Sequence, residues 1–163
     1  MAVGTRQRMT AWGVGPRLAL SAAPYIVLAV ALHVSLPRIF LITRAPHPAF
    51  LIAGIAFIIG GISLWASGGR IIDRAFKEGR LLTTGPYALV RHPMYSGVIV
   101  FVGTGVALCL RSWILLTVPL VGAILFRLLI RREESYLEEK FGQQHRDYKA
   151  RVGALIPFIR PWK

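Results

Sequence analysis

The residues best suited to chemistry lie in a short polar segment, where Arg91 and His92 stand directly before Pro93. A proline disfavours helical geometry in the preceding residue and fits the first turn of a following helix. The sequence therefore predicts that Arg91 and His92 are held in non-helical backbone at a helix start. With the free N–H groups of that start, they favour an anionic group. The alternative interpretation is a basic membrane boundary, with Tyr87 and Tyr95 as interfacial aromatics.

A second candidate site is the pair of adjacent carboxylates at Glu133 and Glu134, which follows Arg131 and Arg132. Successive side chains turn by about 100° around a helix, so one carboxylate can face a pocket while the other faces solvent. A carboxylate just inside a membrane surface can hold an ammonium group. The alternative is a solvated helix face that carries ordinary exposed acids.

Two glycines, Gly103 and Gly105, flank Thr104 within an apolar run. Small residues allow a second helix or a ligand to approach closely, and helix packing is the commoner reason for them. No spacing of histidines or cysteines in the sequence indicates a metal site. A phosphate loop, a dinucleotide fingerprint and a Gly-x-Ser-x-Gly motif are also missing from the sequence. We therefore expect a site without a metal.

Long apolar runs must position these residues. Hydrophobic residues make up 55% of the 163 residues and charged residues 17%, and the mean hydropathy is +0.56. This composition argues against a disordered chain and an ordinary soluble enzyme, and the single cysteine argues against a disulfide scaffold. About 20 helical residues cross a hydrocarbon core of roughly 30 Å. Four membrane spans are predicted, at about residues 18–36, 49–69, 93–110 and 112–130.

The distribution of charge predicts how these spans are oriented. Most of the 20 basic residues precede the first span, as Arg6 and Arg8 do, lie between the second and third spans, or follow the fourth. All seven acidic residues lie in the last two of these regions. The predicted opposite side holds only Arg38, Arg44 and Arg111. Because cytoplasmic loops carry an excess of Lys and Arg, both termini and the chemistry are expected on the cytoplasmic side.

The connections between spans also give predictions. Residues 110–112 join the third and fourth spans, which indicates a tight helical hairpin. A single long helix is predicted for about residues 113–141, loosened at Pro119 and ended by Gly142. Residues 70–80 mix apolar and charged side chains, which is typical of a short interfacial helix.

The order of these pieces resembles a known family. The pieces are Gly85-Pro86-Tyr87, then Arg91-His92-Pro93 with Tyr95 and Gly97, then a membrane hairpin, then Glu133-Glu134 with Leu137, Phe141 and Gly142, and finally Tyr148 and Val152. This order looks like that of the isoprenylcysteine carboxyl methyltransferase and phospholipid methyltransferase superfamily of small integral membrane enzymes. The resemblance covers about residues 81–157, and the first two spans resemble the family only in being apolar.

The resemblance implies S-adenosylmethionine as the methyl donor, with S-adenosylhomocysteine as the product. It implies a cytoplasmic donor pocket, made by the Arg-His-Pro loop, the hairpin and the C-terminal segment. The donor-binding candidates carried over from the family are Tyr87, His92, Pro93, Tyr95, Gly103, Gly105 and Glu134. Among these, Glu134 is the preferred partner of the donor's ammonium group, and Gly103 and Gly105 resemble the Gly-x-Gly element of phospholipid methyltransferases. The catalytic candidates are Arg91, His92 and Glu133.

These observations together predict an all-α integral membrane protein. Residues 1–163 are expected to form a single membrane domain with four transmembrane helices, cytoplasmic termini and a C-terminal cytoplasmic helical extension. The donor-binding half is expected at about residues 81–157. The predicted partners are the lipid bilayer and a lipophilic or lipidated acceptor. Nucleic acid is not expected, because the basic residues are dispersed and no reading motif accompanies them.

The predicted activity is methyl transfer to a membrane-partitioned acceptor, with isoprenylcysteine-type carboxyl O-methylation as the first choice. A carboxylate or thiolate acceptor needs no general base, whereas an amine must lose a proton to Glu133, His92 or a water. Phospholipid amine N-methylation and methylation of a small hydrophobic thiol or acid stay open. The non-enzymatic alternative is a basic membrane scaffold or a module that binds anionic lipid.

Overall fold

The computed structural model describes residues 13–43 and 46–157. Its elements are α1 (Gly15–Ser35), α2 (Pro37–Phe40), α3 (His47–Glu78), α4 (Pro86–Leu89), α5 (Pro93–Cys109), α6 (Thr117–Leu129) and α7 (Arg131–Arg151). Within these ranges every named element is helical, and β pairing is limited to isolated bridges such as that between Leu41 and Ser112. The predicted all-α class is confirmed. Three basic residues that were used to predict the orientation of the spans lie outside the described residues: Arg6, Arg8 and Arg44.

Two helices are long and apolar enough to cross a membrane: α1 over Gly15–Ser35 and α3 over its Gly-rich part, His47–Ile72. Their apolar side chains are largely exposed, with Leu20 76% and Ile52 69% accessible. A core helix of a soluble protein would bury these side chains, whereas lipid accommodates them. Helices α5 and α6 are apolar but shorter. The four predicted spans thus correspond to two long and two shorter apolar helices.

The predicted interfacial helix over residues 70–80 is wrong as a separate element. Helix α3 continues through those residues without a break as far as Glu78. The helix ends where Gly79 adopts a φ of 64° and the Arg80 N–H donates to the carbonyl of Ala75 at 3.1 Å. This is the usual C-terminal arrangement with a left-handed glycine.

The chain turns at residues 110–112, as predicted, with Arg111 at a φ of 50°. The predicted single helix over residues 113–141 is wrong in its start and in its continuity, whereas Gly142 does break the helix where the prediction ended it. Helix α6 begins only at Thr117, so that Pro119 lies in its first turn, where the missing N–H costs nothing. Ile130 separates α6 from α7, and α7 resumes its helix after a local break at Gly142 (φ 52°, ψ −125°).

Close glycine contacts bring α3 and α5 together along their lengths. A Cβ on Gly105 would lie 2.7 Å from the carbonyl oxygen of Gly54, and a Cβ on Gly97 would lie 2.5 Å from that of Gly61. Both distances are shorter than real contacts, so only glycine permits this approach. Helix α1 packs against α6 on the other side of the bundle. This packing fixes the start of α5, which carries the Arg-His-Pro loop.

Candidate active site

The Arg-His-Pro loop is held in the geometry predicted from its proline. His92 adopts a non-helical conformation (φ −128°, ψ 68°) and caps α5, whose first residue is Pro93. Just upstream, Gly85 with a φ of 63° makes the turn that leads into α4. Arg91 and His92 are therefore presented by backbone that two prolines and one glycine constrain.

The C-terminal segment, residues 152–155, clamps this loop through four hydrogen bonds. The backbone N–H groups of Arg91 and His92 donate to the carbonyls of Gly153 at 2.8 Å and Ala154 at 3.1 Å. Arg91 Nε donates to the carbonyl of Val152 at 2.9 Å, and Ser96 Oγ donates to that of Leu155 at 2.6 Å. Ser96 is fully buried. Sequence reasoning missed Ser96, because nothing local marks a helix serine whose acceptor lies 59 residues away.

Glu134 is the centre of a cluster of three basic side chains. Arg91 Nη1 pairs with its Oε1, Lys149 Nζ lies 2.6 Å from its Oε2, and His92 Nε2 lies 3.6 Å from its Oε1. Burial favours a raised pKa for Glu134, but hydrogen bonds from His92 and Lys149 and the charge of Arg91 outweigh it. The pKa of Glu134 is therefore held well below its usual range, and its carboxylate stays ionised.

Glu133 faces in a different direction, as the helical turn between adjacent residues requires. Its side chain lines a cavity and lies beside Tyr95. Burial raises the pKa of Glu133. Its Oε2 is buried with no hydrogen-bond partner among the residues of the described ranges. The expectation that one glutamate faces a pocket is met by Glu133, while Glu134 faces the basic cluster rather than solvent.

The cavity lies between the end of α3, the loop before α5 and the first turns of α7. Of the predicted site residues, it is lined by Tyr87, Arg91, His92, Pro93, Tyr95 and Glu133. Its remaining wall is mainly apolar and aromatic, including Ile72, Leu82, Met94, Tyr136, Leu137 and Phe141. Few polar groups in an apolar wall are typical of a small-molecule site. Burial and the neighbouring Glu133 raise the pKa of Tyr87, so this phenol stays neutral.

The structure does not bring Gly103 and Gly105 to this cavity. A Cβ on Gly103 would meet Pro119 of α6 at 3.2 Å, and Gly105 lies against Gly54 of α3. Both glycines therefore serve helix packing, which was the commoner explanation for small residues in an apolar run. Their predicted contact with the donor stays a prediction.

Helix α7 also contributes residues that were not among the predicted site residues. The Tyr148 hydroxyl donates to the carbonyl of Tyr87 at 2.6 Å, which ties α7 to α4. His145 is only 1% exposed, and burial lowers its pKa. Tyr148 and Lys149 are consecutive residues in the part of α7 that follows Gly142. That region contacts the loop only because the chain re-enters a helix after the break at Gly142.

The cavity chemistry is compatible with a small zwitterionic donor such as S-adenosylmethionine. Glu133 offers a buried carboxylate for an ammonium group. Arg91 uses Nε and Nη1 for Val152 and Glu134, and a guanidinium has five N–H donors, so donors remain for a carboxylate. The aromatic and apolar walls suit the flat base and the carbon atoms bonded to the sulfonium.

Comparisons with known proteins point in one direction. A sequence model described as phospholipid methyltransferase matches residues 48–144. The chain is 36% identical over 95 residues to protein-S-isoprenylcysteine O-methyltransferase B of Arabidopsis thaliana, covering 53% of this chain and 44% of that protein. It is 39% identical over 88 residues to a protein-S-isoprenylcysteine O-methyltransferase of Tribolium castaneum, covering 51% and 30%. The chain thus spans less than half the length of these relatives.

A solved structure resembles the chain over a longer stretch. It is that of the eukaryotic intramembrane Ras methyltransferase ICMT, an isoprenylcysteine carboxyl methyltransferase. The TM-score is 0.65 at 25% sequence identity, over 98% of this chain and 60% of the other. The similarity in fold therefore includes α1, which lies outside the matched residues 48–144.

Proposed function

This chain belongs to the phospholipid methyltransferase family, and from that premise we propose that it transfers a methyl group from S-adenosylmethionine to a membrane-partitioned acceptor. We propose an isoprenylcysteine-type carboxylate as the acceptor, since the relatives from Arabidopsis thaliana and Tribolium castaneum carry that substrate in their names. The observation that carries the proposal is one apolar cavity whose wall includes Arg91, His92 and Glu133.

The donor, when bound, supplies a methyl group already activated on a positive sulfonium. Glu133 holds the ammonium group of the donor in this proposal, because its carboxyl group lines the cavity. Arg91 and His92 hold the carboxylate of the donor. Tyr87 and Phe141 contribute aromatic wall.

Glu134 has a positioning role in this proposal, which revises its expected contact with the donor. Arg91, His92 and Lys149 already surround its carboxylate, so little attraction is left for a further cation. Glu134 instead fixes the direction of the Arg91 and His92 side chains. A charge-assisted bond of this kind gives geometric specificity as well as energy.

The reaction asks the protein mainly for alignment and exclusion of water. Correct placement of two reactants supplies about 7–11 kcal/mol of a barrier. A carboxylate acceptor carries no proton that must be removed, so His92 and Glu133 act there by binding and orientation. The apolar wall around Met94 and Leu137 keeps water from the reacting atoms.

A second candidate is N-methylation of a phospholipid amine, which the description of the matching family model favours. An amine acceptor must lose a proton, and His92 or Glu133 is placed at the cavity to receive it. The two candidates differ in acceptor chemistry and share the donor site. They are separated by supplying each acceptor in turn.

We also propose the membrane topology from the charges and the exposed apolar surfaces. Helices α1, α3, α5 and α6 are the four spans, both termini are cytoplasmic, and α7 is a cytoplasmic extension. Residues 1–163 form a single membrane domain. The donor half extends slightly beyond residues 81–157, since Ile72 and Ala75 of α3 also line the cavity.

The test is calorimetric binding of S-adenosylmethionine and S-adenosylhomocysteine to the protein in nanodiscs. Glu133→Gln removes the cavity carboxylate charge. Glu138→Gln is the matched control, because the Glu138 side chain is 39% exposed and pairs with Arg146 at 3.5 Å. We expect binding by the wild type and by Glu138→Gln, and weaker binding by Glu133→Gln. Methyl transfer is then measured with a farnesylcysteine analogue and with phosphatidylethanolamine. Folded protein that binds neither nucleoside overturns the proposal.

A further inference from the structure

The turn that precedes α1 reaches the candidate donor site from outside the family-matched segment. The backbone N–H of Val14 donates to the hydroxyl of Tyr95 at 2.9 Å, across 81 residues of sequence. Gly13, the neighbouring residue, lies against the same hydroxyl and against the carboxyl of Glu133. The matched residues 48–144 contain Tyr95 and Glu133 but neither Gly13 nor Val14.

Gly13 has no room for a side chain. A Cβ at this position would lie 2.7 Å from Glu133 Oε2 and 2.7 Å from the Tyr95 hydroxyl, which is closer than real Cβ atoms come. Its φ of 50° also lies in the left-handed region that favours glycine. By contrast, a Cβ at Gly15, two residues later, would meet nothing within 4 Å.

The turn is anchored, so a side chain at Gly13 would displace the polar groups rather than the turn. Val14 and Leu18 are both 8% exposed and belong to one buried cluster with Phe126, Ile130 and Leu155. The ring of Phe126 in turn contacts those of His92 and Tyr95, with centroids 5.2 and 5.1 Å apart. The same apolar cluster therefore supports the turn and the site residues.

The contact with Val14 also directs the proton of the Tyr95 hydroxyl. A hydroxyl has one donor hydrogen and two acceptor lone pairs. The Val14 N–H occupies one lone pair, and the Glu133 carboxyl lies beside the hydroxyl. The turn therefore acts on both members of the Tyr95–Glu133 pair.

We propose that Gly13 and Val14 form a positioning element of the donor site, which orients the Tyr95 hydroxyl and the Glu133 carboxylate. Gly13 is required there because any side chain displaces both groups. This inference rests on the proposed function, in which Glu133 holds the ammonium group of the donor. It adds the start of α1 to a site that is otherwise built from the end of α3, the loop before α5, and α7.

The experiment compares Gly13→Ala with Gly15→Ala in the full chain in nanodiscs, by calorimetric binding of S-adenosylhomocysteine. A misplacement of about 1 Å can cost on the order of a hundredfold. We therefore expect Gly13→Ala to weaken binding by at least about tenfold, and Gly15→Ala to bind within about twofold of the wild type. Equal affinity of the two variants and the wild type overturns the inference. Absence of binding by the folded wild type instead overturns the proposed function.

The pH profile of binding separates positioning from general destabilisation. Among the described residues, His92, Tyr95, Tyr87 and Glu134 interact electrostatically with Glu133. The other ionisable groups that line the same cavity are Arg80, Arg91, Tyr136, Lys140 and Tyr148. A displaced Glu133 carboxyl is less buried, so we expect the acidic midpoint of binding to move to lower pH in Gly13→Ala. The midpoint stays unchanged in Gly15→Ala. A midpoint of Gly13→Ala equal to that of the wild type contradicts a positioning role.

A double-mutant cycle with Tyr95→Phe keeps the inference testable where Gly13→Ala folds poorly. The phenylalanine keeps the ring packing and removes the hydroxyl that a Cβ at position 13 would meet. We expect Gly13→Ala to cost less affinity in the Tyr95→Phe background than in the wild type, with a coupling of at least about threefold. Additive effects of the two substitutions overturn the inference.

Discussion

Both ends of α5 are bonded to distant backbone carbonyls, but only the N-terminal end also carries a cluster of charged side chains. At its C-terminal end, the turn at residues 110–113 is bonded to residues 39–42. Ile42 N–H donates to the Arg111 carbonyl at 2.7 Å, Trp113 N–H donates to the Phe40 carbonyl at 3.1 Å, and Trp113 Nε1 donates to the Ile39 carbonyl at 2.8 Å. At its N-terminal end, the cluster around Glu134 combines one carboxylate with Arg91, His92 and Lys149.

The difference separates stability from function. The acceptors at the turn end are backbone carbonyls, and such bonds contribute about 0.5–1.5 kcal/mol each, largely independently. The groups at the cavity end depend on one another, because removing one member leaves the others buried without their partner. Substitutions at the turn end should therefore change stability alone, while those at the cavity end should change stability and activity together.

Glu134→Gln should have the largest effect. It leaves the buried side chain of Arg91 without its counter-charge, which costs roughly 3–5 kcal/mol in the free energy of unfolding. It also releases Arg91 and His92, so donor affinity and methyl transfer should fall by about a hundredfold. Chemical unfolding and nucleoside binding measure the two effects. The partly exposed Glu138→Gln control should lose less than about 1 kcal/mol, and an equal loss in both variants would contradict a special role for the cluster.

Ser96→Ala should have the next largest effect. The buried Leu155 carbonyl loses its 2.6 Å hydrogen bond from Ser96. This loss should lower the free energy of unfolding by about 1–3 kcal/mol. The C-terminal clamp on the loop loosens, so the affinity for S-adenosylhomocysteine should fall in the same variant. Ser135→Ala is the matched control, because Ser135 is exposed and bonds within its own helix. Affinity unchanged in Ser96→Ala would mean that the clamp serves stability alone.

The pH dependence of donor binding should reveal which glutamate meets the ligand. The pKa of Glu133 is raised by burial, so its carboxylate is lost as the pH falls through a range where Glu134 stays ionised. Donor affinity should drop by up to about tenfold per pH unit below the pKa of Glu133. Because that pKa is raised, the drop should begin at a pH above the usual pKa range of a carboxyl group. Calorimetry across this range measures the slope. Glu133→Gln should remove it, and persistence of the slope would assign it to another group.

Trp113→Phe should have the smallest effect and tests the turn end. It removes one bond to the Ile39 carbonyl and keeps an aromatic ring against Phe40. The free energy of unfolding should fall by about 1 kcal/mol. Donor affinity should match that of the wild type, since the cavity lies at the opposite end of α5. A loss of affinity in this variant would break the contrast between the two ends.

Local rules determined much of this protein from the sequence. Pro93 fixed the helix start and the non-helical His92, since ring geometry acts on adjacent residues regardless of packing. The apolar runs predicted the helical class, because hydrophobic periodicity is also a local property of the sequence. Arg91, His92 and Glu133 were all identified as candidates, and all three line one cavity.

Only the tertiary structure decided how the candidates are used. The sequence gives Glu133 and Glu134 the same chemistry, and the distant Lys149 and Tyr95 distinguish them. Gly103 and Gly105 pack between helices because α3 and α6 occupy that space. Ser96 and Gly13 act on partners far away in the chain. These roles depend on which distant groups approach within a few ångströms, and short-range sequence rules hold no such information.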